Sequence, residues 1–183
     1  MYRCELLNNT PVSIFFVMEV KMKIVIAIIG KVGSGKTYYA KKIMEKSKAV
    51  LLSNDEIIHD LYCDEYPLSR FEFALKVNNY LLKKAVEIVN AGSNVILDWG
   101  FWKKEERTQI SDYFKCNNIG AEWHYIDIDD DTWNSNIKKR NKEVMEHDDG
   151  SSFYLSNEII NLVNMQFEVP CEDEVDVWYK SKK

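Results

Sequence analysis

From Lys23 onward, short wholly apolar runs alternate with longer stretches in which apolar residues recur every three or four positions. Such alternation predicts βαβ units and a parallel sheet. The run 24–29 (IVIAII) has no polar residue, as expected of a central strand covered on both faces. A helix is predicted from about Lys36 to Ser47, with Ala40, Ile43, Met44 and Ser47 on one face. Residues 49–52 read as a second strand. Ser53, with Glu56 three residues on, reads as a capping box that opens a helix through Tyr62.

Pro67 precedes a long predicted helix from about Ser69 to Ala91. Its apolar stripe is Phe71, Ala74, Leu75, Leu82, Ala85, Val86 and Val89, and Gly92 is its natural stop. Residues 94–97 form the third predicted strand, which ends at Asp98. A helix over 103–117 points Ile110, Tyr113 and Phe114 inward, and 122–128 is the fourth strand. A helix follows from Asp130 or Asp131 through Arg140, then a polar irregular stretch over 143–152. Residues 157–167 are helical and 175–179 supply a fifth strand. The reading is one α/β domain over 22–183, preceded by an extension, 1–21, that the core does not need.

Composition narrows this further. A length of 183 residues suits one domain, and 46% apolar with 29% charged residues is the balance of a folded chain. The net charge of −5 excludes a generally basic protein that coats nucleic acid, although a local basic groove stays open. Cys4, Cys63, Cys116 and Cys171 are dispersed without a C-x-x-C pair, which suits reduced cytoplasmic thiols better than a zinc site or disulfide scaffold. No apolar run approaches the roughly 18 residues of a membrane span. The apolar stretch 11–20 lacks the basic region and cleavage site of a signal peptide.

Three of only seven glycines fall within six residues, in Gly30-Lys31-Val32-Gly33-Ser34-Gly35-Lys36-Thr37. This matches G-x-x-x-x-G-K-[ST], with an apolar strand before it and a helix after it. The glycines let backbone N–H groups converge on a phosphate, and the helix aims its positive end at the same anion. Lys36 would meet the β- and γ-phosphates and Thr37 a Mg²⁺ ion, so the loop reads as an ATP or GTP site. A plain Gly-rich turn is the competing reading.

Ligands of open parallel sheets sit at the carboxyl ends of strands. Asp98, at the end of the third strand, is placed to hold Mg²⁺, or to cap a turn. Asp55, after the second strand, is placed to accept a proton from a hydroxyl, or simply to cap a helix. Asp127 and Asp129–Asp131 read as a solvated helix start.

Arginine is scarce: Arg3, Arg70, Arg107 and Arg140 are all there is. Arg3 lies in the extension, Arg70 away from any strand end, and Arg107 in a charged helix where a solvated surface pair is expected. Arg140, at a basic helix end beside the irregular stretch, reads as the arginine of a lid over about 138–155. Cations favouring a helix end is the alternative. His59, His124 and His147 share no ligand spacing. Trp99, Phe101 and Trp102 either wall an acceptor pocket or fill the core.

Taken together, Gly30–Thr37, Leu52–Glu56, Val95–Trp102, Lys138–Asn141 and Phe167–Pro170 resemble the P-loop predicted-kinase family. These are AAA-domain ATP-binding proteins related to chloramphenicol phosphotransferase, zeta-toxin-like kinases and polynucleotide kinase. The resemblance implies a three-layer P-loop fold with a five-stranded parallel sheet, helices on both faces and a short lid. It implies a catalytic Asp at Asp55 and a lid Arg at Arg140. Two departures stand out: Asn136 and Ile58 occupy places where many relatives carry arginine. With the net charge, they argue for a neutral small-molecule hydroxyl acceptor over a polynucleotide. The expected activity is ATP- and Mg²⁺-dependent phosphoryl transfer to that hydroxyl. Nucleic-acid 5′-hydroxyl phosphorylation and a nucleotide-dependent regulatory module are the alternatives.

Overall fold

The computed structural model describes residues 23–62, 69–146 and 154–180, without the side chains of Arg70 and Phe71. The expected extension, Cys4, Cys63, Pro67, His147 and residues 147–153 of the expected lid lie outside them. Five strands, β1 (Ile24–Ile29), β2 (Ala49–Ser53), β3 (Asn94–Asp98), β4 (Gly120–Asp127) and β5 (Val177–Lys180), make one sheet in the order β2-β3-β1-β4-β5. Every pairing is parallel. Among the described residues, six α-helices join and flank the strands: α1 (Lys36–Ser47), α2 (Asn54–Leu61), α3 (Arg70–Asn90), α4 (Lys104–Cys116), α5 (Asp130–Glu146) and α6 (Asn157–Gln166).

The unbroken apolar run of β1 has the predicted consequence. Val25, Ala27 and Ile29 face one core cluster, while Ile26 and Ile28 face a second on the other side of the sheet. The first cluster takes residues from α2, α3 and α4, and the second takes Tyr39 and Ala40 from α1. Side chains of a strand alternate between faces, so a strand covered on both must be apolar throughout. The expected three-layer architecture is therefore the observed one.

Some boundaries and faces differ from expectation. On α3 the enclosed line is Phe73, Val77, Leu81, Ala85 and Val89, spaced four apart, whereas Leu75 is 48% exposed. More than half of this helix is apolar, so the sheet rather than periodicity selects the face. Ser69 and Glu72 form a reciprocal capping box at its start, and Gly92, at φ +96°, ends it as predicted. The helix α5 does not stop at Arg140 but runs to Glu146, so 143–146 is not irregular. Lys139–Glu143 and Lys142–Glu146 pairs, four residues apart, support the added turns.

Arg107 is the largest correction. Instead of forming a solvated pair, it is 3% exposed, because α4 places it on the same face as Ile110 and Phe114. Its Nε donates to Glu174 at 2.9 Å. One terminal nitrogen donates to the carbonyls of Phe101, Trp102 and Glu168 at 3.1 to 3.3 Å. This guanidinium ties the turn after β3 to the segment between α6 and β5. The turn needs the support, because Gly100 (φ +82°) and Phe101 (φ +47°) are both left-handed. A Cβ at Gly100 would approach the Trp102 indole to 2.6 Å. Phe101 accepts its conformation with its ring fully buried between Trp99 and Trp123, 4.9 and 5.1 Å away.

Burial alone would raise the Glu174 carboxyl, but the Arg107 hydrogen bond, the Cys171 amide and the charges of Arg107 and Lys104 hold it at about 2. A depressed folded-state pKa contributes stability above the unfolded pKa, about 4.3, which is lost as pH falls towards 2. Thermal unfolding followed from pH 7 to pH 2 should show that loss in the wild type and a flatter profile in Glu174→Gln. Arg107→Ala should cost about 3–5 kcal/mol, since it removes the shared donor of three backbone carbonyls and the shortest partner of the partly buried Glu174 carboxylate.

Candidate active site

The phosphate loop leaves the carboxyl end of β1, the sheet's central strand, and enters α1. Gly33 and Gly35 hold φ of +78° and +93°, conformations that side chains other than glycine resist. A Cβ on Gly33 would also meet Ile137 at 3.4 Å.

Four successive carbonyls of the loop each accept a side-chain hydrogen bond. Lys36 Nζ donates to Gly30 O at 3.1 Å and Lys31 O at 2.9 Å. Trp133 Nε1 donates to Val32 O at 2.8 Å, and Asn136 Nδ2 to Gly33 O at 3.1 Å. The peptide is planar and trans, so a Val32 carbonyl aimed at α5 sends the Gly33 N–H the opposite way. The Gly30 amide is anchored on Gly100 O, and Lys31 extends to Asn164 and over the Trp133 ring. The Ser34 hydroxyl is buried without a partner, a polar group suited to a phosphate oxygen.

Sequence-predicted residues from four elements meet around Lys36. Asp98, at the end of β3, accepts a hydrogen bond from the Thr37 hydroxyl at 2.8 Å. Burial pushes the Lys36 ammonium pKa down, opposed by the charges of Asp98 and Asp55 and reinforced by that of Arg140. Burial pushes the Asp98 carboxyl up, against Lys36 and the Thr37 hydrogen bond. Arg140 is half-buried; its pKa is lowered by burial, with Asp55 acting in the other direction. Asp55 is exposed on the first turn of α2, where Ser53 Oγ, not Asp55, accepts the capping amide of Glu56. Asp129, by contrast, is a cap: its carboxylate accepts from the Thr132 amide and hydroxyl at 2.9 and 2.7 Å.

Trp133, Asn136, Ile137 and Arg140 share one face of α5, so the helix that braces the loop also carries the arginine towards it. The two departures have structural roles. Asn136 braces Gly33, and Ile58 is buried in the core beneath α2. Sequence reasoning did not single out Trp133 as a brace, although its spacing from Asn136 and Arg140 carried the signal. Of the three aromatics after Asp98, Trp99 and Phe101 are core residues, and Trp99 also lines a cavity between α3 and α4.

This is the nucleotide-binding architecture of a P-loop protein. The AAA domain family model matches residues 25–170, and the chain belongs to that family of P-loop kinase-like proteins. Among curated proteins, none matches. Solved structures with the same fold include an unliganded sugar kinase from Janibacter sp. HTCC2649 (TM-score 0.59, 16% identity, 86% of this chain and 85% of that one). The APS kinase of Mycobacterium tuberculosis, in complex with AMPPNP and APS, has TM-score 0.62 and 15% identity over 88% of this chain and 90% of that one. Kti12 from Chaetomium thermophilum, in complex with ADP-AlF3, has TM-score 0.59 and 14% identity over 86% and 88%.

Asn136→Ala tests the brace. Loss of one hydrogen bond to a loop carbonyl should weaken AMPPNP binding by about three- to tenfold in calorimetry. Unchanged affinity would remove Asn136 from the loop's support.

Proposed function

We propose that the chain is an ATP-dependent kinase that transfers the γ-phosphoryl group to a hydroxyl of a small-molecule acceptor. The observation that carries the reading is the glycine-rich loop whose Lys36 and Thr37 stand at the end of β3, Thr37 bonded to Asp98 at 2.8 Å, with the charges of Asp55 and Arg140 acting on Lys36. Such groups recur in phosphoryl transfer because catalysis there is largely positioning and charge stabilisation. Lys36 and the loop 30–37 hold the β- and γ-phosphates. Asp55 accepts the proton of the attacking hydroxyl as its oxygen bonds to the γ-phosphorus and the bond to ADP breaks. Arg140 stabilises charge on the transferred group.

Thr37, in the first turn of α1, and Asp98, at the end of β3, offer hard oxygen donors side by side, a set that fits Mg²⁺. When bound, the ion neutralises charge on the β- and γ-phosphates. A neutral acceptor is supported by the net charge of −5 and by Ile58, which fills core space rather than presenting a cation. No described helix is long and apolar enough to cross a membrane.

Labelled ATP or GTP with nucleosides, sugars, amide alcohols and 5′-hydroxyl oligonucleotides tests the reading. Product should form with a small acceptor, vanish in Lys36→Ala, and fall about 10²–10⁴-fold in kcat for Asp55→Asn. Arg140→Ala should lower kcat by about 10³-fold or more. Full transfer by Asp55→Asn would remove it as base. Transfer to oligonucleotides alone would favour the nucleic-acid kinase, and tight ATP binding without transfer to any acceptor would favour the regulatory module.

A further inference from the structure

β5 is an edge strand: β4 pairs with one side of it, and among the described residues no strand pairs with the other. A bare edge offers a row of backbone N–H and C=O groups to which another strand can bond. Proline and dense charge are common ways to blunt such an edge, and β5 (VWYK) has no proline and a single charge, Lys180. Its side chains are also partly bare. Trp178 is 38% exposed, although its ring is held T-shaped against Tyr125 at 4.9 Å and its Nε1 donates to Asp127 at 2.9 Å. Val177 is 37% exposed. An aromatic already fixed in place, with one face open, loses little entropy when a partner covers it.

The charges along this segment identify the partner that fits. Glu172, Asp173, Glu174 and Asp176 precede the strand, and Lys180 ends it. Two copies aligned in parallel would set acid against acid, whereas two antiparallel copies set acid against lysine. Only alternate residues of a strand turn their N–H and C=O outward, so antiparallel copies match residues of the same parity. Asp176, Trp178 and Lys180 share that parity. Pairing centred on Trp178 therefore sets Asp176 of each copy opposite Lys180 of the other, and Val177 opposite Tyr179. Asp176 and Lys180 are both exposed, and the Asp176 carboxylate is fixed at the strand's start by the Trp123 amide, which donates to it at 2.8 Å. The opposite edge strand, β2, gives way at Asn54 to α2, so the acids that follow it lie on a helix and cannot extend the strand.

We propose that β5 pairs antiparallel with β5 of a second copy of this chain, joining the two sheets across a two-fold axis. This does not depend on the kinase reading. The contact is short, so a dimer of about micromolar strength is expected.

Sedimentation velocity on the full chain, from about 1 to 200 μM, tests the pairing. The 21.5 kDa chain should give way to a species of twice its mass as concentration rises. Lys180→Glu sets acid against acid on both sides of the axis and should weaken the dimer at least about tenfold. Asp176→Lys should do the same, and an equimolar mixture of the two variants should dimerise again, because each then meets its opposite charge. Unchanged far-ultraviolet circular dichroism reports an intact fold in each variant. Should Asp176→Lys lose the fold, Lys180→Glu, at an exposed position, still decides the location. A wild type that stays monomeric at every concentration would overturn the pairing and leave the edge to another segment or another protein. A dimer as tight in Lys180→Glu as in the wild type would overturn its location, and folded variants that stay monomeric when mixed would overturn its register.

Discussion

A loop that holds phosphate with its amides must place its carbonyls elsewhere, and every buried carbonyl needs a donor. Here Lys36, Trp133 and Asn136 supply donors to the four carbonyls from Gly30 to Gly33. Two of these donors come from α5, a hundred residues downstream in the chain. The loop's shape is thus a tertiary property. Glycine at 33 and 35 permits it, and α5 imposes it.

The same economy governs the turn after β3. Asp98 must emerge beside Thr37, and the chain must then reverse sharply enough to place Gly100 O against the Gly30 amide. Two consecutive left-handed residues achieve this at a conformational cost. Arg107 offsets the cost by gathering the turn's carbonyls, the Glu168 carbonyl and the Glu174 carboxylate onto one buried guanidinium. Of the four arginines, one is committed to architecture and another, Arg140, is carried by the loop-bracing helix.

Much of this was legible in the sequence. The uninterrupted run of β1, the glycine cluster and the apolar strand closing on Asp98 announced the parallel sheet and the phosphate loop at its central strand, because each is dictated by local sterics or by two-sided burial. Arg107 was misread because the four charged residues before it, Lys103 to Glu106, suggested a solvated helix. Its spacing from Ile110 and Phe114 had already placed it on the buried face. The extent of α5 was missed since Lys–Glu pairing adds little per pair and competes with a polar composition that also suits a loop. The brace formed by Trp133 and Asn136 required knowing which helix packs on the loop, a fact that only the tertiary structure supplies.

The central claim is that these residues surround a phosphoryl group in transit to a hydroxyl. A crystal structure with AMPPNP and Mg²⁺ tests it most directly. Lys36 and Arg140 are expected on the γ-phosphate, and the Asp55 carboxylate within hydrogen-bond reach of an oxygen placed in line behind the γ-phosphorus. A γ-phosphate with Arg140 turned away and Asp55 out of reach of that line would contradict it.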